Sequence, residues 1–219
     1  MLVVLSPHLD DAVFGCGQLI AAHAGATVVT VLAGRPPRHA PLAPWDADAG
    51  FTEGDDVIAI RSDEDRRALH VLGARPRWLE FCDSQYGVTP PAGHVTDALD
   101  AAIGAAAATA VVVPLGLFHS DHRLVHDAAL AVLARRRRLS WLAYEDAMYR
   151  RIPGLVADRL ARLRAAGITP AWIGGETGHG RLKRRAVAEY RSQLRALTTP
   201  GRPGYDDALA PEGYWRLAA

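Results

Sequence analysis

The stretch MLVVLSPHLDDAVFGCGQLIAAHAGATVVTVLA, residues 1–33, decides the fold. It opens on an apolar run of strand length, LVVLS (Leu2–Ser6). CGQLIAAHA then reads as a helix, and TVVTVLA (Thr27–Ala33) as a second apolar strand. Strands buried on both faces read as continuous apolar runs, the mark of a parallel sheet. A strand, a helix and a strand in succession form a right-handed crossover unit.

The alternation continues. VIAIRSDEDRRALHVLG has helical spacing and ends at Gly73, a suitable C′ glycine. RWLEF is a short strand, HVTDALDAAIGAAAA a helix, and TAVVVPL (Thr109–Leu115) a strongly apolar strand. SDHRLVHDAALAVLARRRR is a helix for which Ser120 is the expected N-cap. LSWLAYE is a further strand; PGLVADRLARLRAAG and RLKRRAVAEYRSQLRAL are late helices. This pattern predicts an α/β fold, Rossmann-like, with a mostly parallel sheet flanked by helices on both faces. One domain over residues 1–219 is expected from length and composition. Residues 34–56, GRPPRHAPLAPWDADAGFTEGDD, lack periodicity and are expected to form a long functional loop. Within it, Trp45 and Phe51 either anchor the loop or pack on a substrate.

Composition excludes several classes. A formal net charge of +1 gives no electrostatic reason to expect a nucleic-acid partner. No run approaches the ~18 consecutive apolar residues of a membrane helix, so no membrane partner is expected. Cys16 and Cys82 form no CxxC motif, and two thiols in a chain of 219 residues suggest a reduced compartment. The amino terminus lacks the basic region of a signal peptide, and the expected setting is cytoplasmic. Lys183 is the one lysine and lies outside any GxxxxGK[ST] pattern, so a P-loop is excluded.

In open α/β sheets, ligands bind at the carboxyl ends of the strands, near a switch in strand order. Two polar clusters fall there. SPHLDD follows the first strand with His8, Asp10 and Asp11, and GLFHSDH follows the fourth with His119, Asp121 and His122. A Rossmann-like order makes these strands neighbours, so the clusters would face each other. Two imidazoles and a carboxylate, His8, His122 and Asp11, suit a catalytic zinc with an open position for water. Asp10 could accept the proton of that water. His119 could stabilise an oxyanion and protonate a leaving amine, with Asp121 holding its ring. Each cluster alone also fits a helix cap, and paired aspartates at a helix start suit its dipole; the joint placement favours chemistry. Of the other histidines, His126, one turn beyond His122, is expected closest to the site.

The same residues carry a resemblance. SPHLDDAVFGCG resembles the N-terminal signature of the LmbE/PIG-L family of zinc-dependent N-deacetylases, A-H-P-D-D-E, and FHSDH resembles its H-x-D-H motif. RSDEDRRALHVLGA is similar to the family's R-x-x-E helix, FCDSQYG to its D-S segment, and KRRAVAEYRSQ to its K-x-x-A-x-x-x-[HY]-x-S-Q helix. Leu9 and Ala12 stand where the signature has proline and glutamate, and neither change removes a ligand. The resemblance implies a hydrolase of linear amide bonds that removes an N-acyl, most often N-acetyl, group from an amino sugar or sugar-containing metabolite. It implies Zn2+ or another divalent transition metal on His8, Asp11 and His122, Asp10 as base, His119 as acid or oxyanion partner supported by Asp121, and Arg61 and Asp83 as sugar contacts. From the residues alone, Arg61 could instead pair with Asp65, and Asp83 could form an Asx-type turn. Two alternatives stand beside this reading. One is an amidase for a larger amino-sugar glycoside or thiol conjugate. The other is a non-catalytic sugar or nucleotide binder, although FGCGQL lacks a full GxGxxG. The expected partner is a small N-acylated sugar; a homo-oligomer is compatible with the sequence. Glu145, Asp146 and Tyr149, just past the fifth strand, are candidates to line the pocket. Arg135–Arg138 read as a solvated helix end.

Overall fold

The computed structural model describes residues 1–218. Seven strands form one sheet: β1 (Leu2–Ser6), β2 (Thr27–Thr30), β3 (Arg75–Trp78), β4 (Ala110–Pro114), β5 (Ser140–Tyr144), β6 (Thr169–Gly174) and β7 (Tyr214–Ala218). Their order is β3-β2-β1-β4-β5-β7-β6. The first five run parallel; β7 is antiparallel to both β5 and β6. The α/β, mostly parallel architecture read from the sequence is therefore present, and β1 and β4 lie side by side at the switch in strand order.

Successive side chains of a strand point to opposite faces, and the central strands β1, β2 and β4 each feed two cores. Val3, Leu5, Val111 and Val113 pack into one layer with α4 (Ala92–Ala105), α5 (Ser120–Arg135) and α6 (Leu155–Ala165). Val4, Val28 and Val112 pack into the other, with α1 (Asp11–Ala22), α3 (Val57–Val71), α7 (Gly180–Val187) and α8 (Arg191–Leu197). Burial on both faces is the reason these strands carry no polar alternation.

Several local expectations are revised. α1 starts at Asp11, five residues before the helix read from CGQLIAAHA. The long segment 34–56 contains a short helix, α2 (Pro44–Asp48), with proline at its start. Phe51, buried with Ala49, Val57 and Ala196, anchors it. The late helix divides at Tyr190, whose backbone (φ −81°, ψ 59°) leaves the helical region. β6 and β7 escaped sequence reading: TPAWIG and YWRLA are short, partly exposed and lack a clean period. Among the described residues, both cysteines are unpaired, and no helix is long and apolar enough to cross a membrane.

Candidate active site at the β1–β4 switch

The loops leaving β1 and β4 meet. His8 stands directly after β1, Asp10 is the N-cap of α1, and Asp11 opens its first turn. Opposite, the chain leaves β4 through Gly116 (φ 77°), where a Cβ would lie 2.6 Å from His126 Cβ. Only glycine fits both the dihedral and the space. That turn delivers His119 to the start of α5. His119, not Ser120, is the N-cap: its Nδ1 accepts from the Asp121 backbone N–H at 3.3 Å. An accepting Nδ1 leaves the ring proton of the neutral imidazole on Nε2.

The three imidazoles cluster, with ring centroids 5.4 Å (His8–His122), 5.5 Å (His8–His119) and 5.7 Å (His119–His122) apart. One oxygen joins two of them. Asp11 Oδ2 lies 3.1 Å from His8 Nδ1 and 3.3 Å from His122 Nε2. Around a tetrahedral zinc with bonds of roughly 2.0–2.2 Å, neighbouring ligand atoms stand roughly 3.3–3.5 Å apart. These separations suit one ion between the three residues, and the outward nitrogens are already held. His8 Nε2 is 3.0 Å from Asp121 Oδ2, and His122 Nδ1 donates to Asp146 Oδ1 at 2.6 Å. A carboxylate behind each imidazole fixes its tautomer with the lone pair toward the metal position.

Charge makes the same demand. Burial works against protonated imidazoles, yet Asp83, Asp11 and Asp121 outweigh it and raise His8. Asp11 and Asp146 likewise raise His122 against burial. Burial also opposes the charge of Asp11, but the His122 and His8 imidazoles hold its carboxyl well below the usual range. Asp10 differs: burial, then the neighbouring charge of Asp11, push it up to about 7. Its side chain makes no capping hydrogen bond, so its carboxylate faces the cavity uncommitted. His119 is lowered by burial and by the charges of His8 and His122. A ring of carboxylates that raises two imidazoles is a site that favours a cation, and two imidazoles with a carboxylate are a donor set for a divalent transition metal.

Other candidates separate into those at the site and those beside it. Asp121, expected to hold His119, directs Oδ2 to His8 and to the Ser84 N–H (3.2 Å); His119 Nδ1 is 3.9 Å away. Arg61 lines the cavity but pairs with Asp46 of α2 at 2.7 Å rather than Asp65. Its guanidinium lies over Phe51, and Asp46 also accepts from the Tyr86 hydroxyl. Asp65 is taken by Trp78 and Tyr190. Asp83 forms the turn that was its alternative reading, accepting from Gln85 N at 2.9 Å, and still lines the cavity 3.7 Å from His8 Nε2. Trp45 both lines the cavity and donates to Gln193. Tyr149 lies edge-on to His122 with centroids 5.2 Å apart. His126 turns away to the Pro114 carbonyl. Glu145 accepts from Trp215 and does not line the cavity. Arg135 and Arg136 pair with Asp97 and Asp100 of α4, so the arginine run is partly held against a neighbouring helix. Sequence reading missed two roles: Asp146 as the partner of His122 and Asp46 as the partner of Arg61.

The cavity over these groups measures about 590 Å³. His8, Asp10, Asp11, His119 and His122 form its floor; Leu32, Ile58, Phe118, Ile152, Leu197 and Pro203 give it apolar walls.

Residues 3–133 match the family model described as "PIG-L: GlcNAc-PI de-N-acetylase". The chain belongs to the PIG-L family. It is 30% identical over 211 residues to a 2′-N-acetylparomamine deacetylase of Streptomyces fradiae, covering 87% of this chain and 72% of that one. Among solved structures, a triple mutant of a deacetylase of the teicoplanin biosynthetic pathway superposes with a TM-score of 0.84 at 26% identity, covering 99% and 97% of the two chains. N,N′-diacetylchitobiose deacetylase from Pyrococcus horikoshii shares the fold more distantly, with a TM-score of 0.55 and 20% identity over 88% of this chain and 70% of that one. This PIG-L family member is an N-deacetylase, a hydrolase of amide C–N bonds.

Proposed function

We propose that the chain removes an N-acetyl group from an amino sugar within a larger glycoside, using a zinc ion held by His8, Asp11 and His122. The observation that carries this reading is the single Asp11 oxygen within 3.1–3.3 Å of nitrogens on two imidazoles from separate loops. A divalent ion bound there acidifies water and polarises the amide carbonyl.

The chain's own residues supply the rest. Asp10, next to a ligand yet free of any cap, takes the proton of the water whose oxygen attacks the carbonyl carbon. His119 stands across the site, and its Nε2–H stabilises the developing oxyanion. As the C–N bond breaks, Asp10 passes the proton it took from water to the departing amine, while the neutral His119, its Nδ1 engaged by the Asp121 N–H, keeps its one ring proton on Nε2 at the oxyanion. Acetate and a free amino sugar result. Arg61, held by Asp46, and Asp83, held in its turn, present a fixed donor and acceptor to sugar hydroxyls. Asp121 serves the site through His8. A volume of 590 Å³ lies within the roughly 300–1,000 Å³ that houses drug-sized ligands, which favours a glycoside over a lone monosaccharide.

The test is release of primary amine from N-acetylglucosaminides by zinc-loaded protein, with Asp10→Asn alongside. Zinc content should persist in the variant while kcat falls by about 10²–10⁴. Full turnover in Asp10→Asn would overturn the base assignment. A wild type that takes up no zinc and releases no amine from any N-acetylated sugar would favour a non-catalytic binder.

A further inference from the structure

Helix α1 carries Asp10 at its N-cap and Asp11 in its first turn, but it is not continuous. Cys16 leaves the helical region, with φ −145° and ψ 33°. In an unbroken helix the Gln18 N–H would donate to the Phe14 carbonyl, four residues back. A buried ion pair occupies both ends of that bond instead. Lys183 Nζ donates to Phe14 O at 2.9 Å, and the Gln18 N–H donates to Glu212 Oε1 at 2.9 Å. Lys183 Nζ and Glu212 Oε1 meet at 2.6 Å.

The pair comes from far along the chain, Lys183 from α7 and Glu212 from the loop before β7, and both are buried. Further contacts hold it. The Tyr214 hydroxyl donates to Glu212 Oε2, and the Gln18 side-chain oxygen accepts from His179 N at the start of α7. The glycines of FGCG make room. A Cβ on Gly15 would stand 2.4 Å from the Tyr144 ring, and one on Gly17 would stand 3.0 Å from Lys183 Cγ. Tyr144 in turn donates to the Leu5 carbonyl of β1, two residues before Pro7. The first turn of α1 is therefore clamped from behind.

Buried ion pairs are poor stabilisers compared with apolar packing of equal volume. Stability alone therefore gives little reason to place this one at a helix break behind a cluster of acid and imidazole groups. We propose that Lys183 and Glu212 are positioning residues: spliced into α1, they set the angle of its first turn and so aim Asp11 at His8 and His122. This rests on the reading of those three residues as the metal site.

The test is zinc affinity and the visible spectrum of the cobalt(II)-loaded protein, measured on the full chain and its variants. Lys183→Met keeps the apolar stem but neither donates to Phe14 nor pairs with Glu212. Leu160→Ala, in the core on the other face of the sheet, controls for lost stability. In Lys183→Met the zinc Kd should rise about 10–100-fold, as when an outer partner of a ligand is lost, and the cobalt band should change shape. Leu160→Ala should lose thermal stability yet keep the wild-type Kd and spectrum. A wild type that binds no zinc would refute the metal site itself. A zinc-binding wild type matched by Lys183→Met in Kd and spectrum would overturn the positioning role alone. Equal loss of affinity in Leu160→Ala would also overturn it. Should Lys183→Met fail to fold, Glu212→Gln decides by the same two readouts, since its one amide oxygen can still accept from the Gln18 N–H while the charge that pairs with Lys183, and the oxygen that accepts from Tyr214, are removed.

Discussion

Asp146 is fully enclosed and serves two donors at once: His122 Nδ1 at 2.6 Å through Oδ1 and the Leu117 N–H at 3.0 Å through Oδ2. Asp146→Ala removes both acceptors. Without Oδ1, the ring of His122 is no longer held with its Nε2 lone pair toward Asp11. Loss of such a partner costs about 10–100-fold in metal affinity, or about 1.4–2.7 kcal/mol. Without Oδ2, a buried backbone N–H is left unsatisfied at about 1–3 kcal/mol. For a chain of this size that second loss lowers Tm by about 2–12 °C. Asp146→Asn has one acceptor oxygen for two donors, so it loses one of the two interactions and keeps the other. The assay is zinc competition against a chromophoric chelator, paired with thermal denaturation of the metal-free protein. Wild-type zinc affinity in Asp146→Ala would refute the claim that His122 binds through Nε2 with Asp146 orienting it.

Two further outcomes follow from the geometry. His119→Ala should keep its zinc and lose about 10²–10³ in kcat; a variant that loses zinc instead would make His119 a ligand. Asp65, pushed up to about 6 by burial against the hydrogen bonds of Trp78 and Tyr190, keeps its proton in the fold at pH values where the unfolded chain has released it. Stability should therefore fall as pH rises from about 4 to about 6, by about 2–3 kcal/mol, and level off above. Asp65→Asn should remove that slope, and an unchanged Tm difference between variant and wild type across this window would contradict it.

Much of this was legible in the sequence, for physical reasons. Strands buried on both faces leave uninterrupted apolar runs, so β1, β2, β4 and β5 were visible, and with them the switch that brings SPHLDD to GLFHSDH. Costly polar groups at strand ends marked the site. Partners set by tertiary packing were not visible. Asp146 follows β5 as one acid among YEDAMYR, and nothing local distinguishes a carboxylate that orients His122 from one that faces solvent. Asp46 lies in a proline-rich segment without period, and only the packing of α2 against α8 brings it to Arg61. Lys183 stood out as the one lysine, but its acceptor, Phe14 O, is 169 residues away. Asp121 read naturally as the partner of the histidine two residues earlier, yet the turn of α5 carries its carboxylate to His8. β6 and β7, half exposed beyond β5, lack the burial that writes a pattern.

Diffraction at the zinc absorption edge from zinc-loaded crystals tests the centre of the account most directly. One anomalous peak is predicted, at about 2.0–2.2 Å from His8 Nδ1, His122 Nε2 and an Asp11 carboxylate oxygen. A well-occupied peak elsewhere, or one that leaves either imidazole unligated, would contradict it.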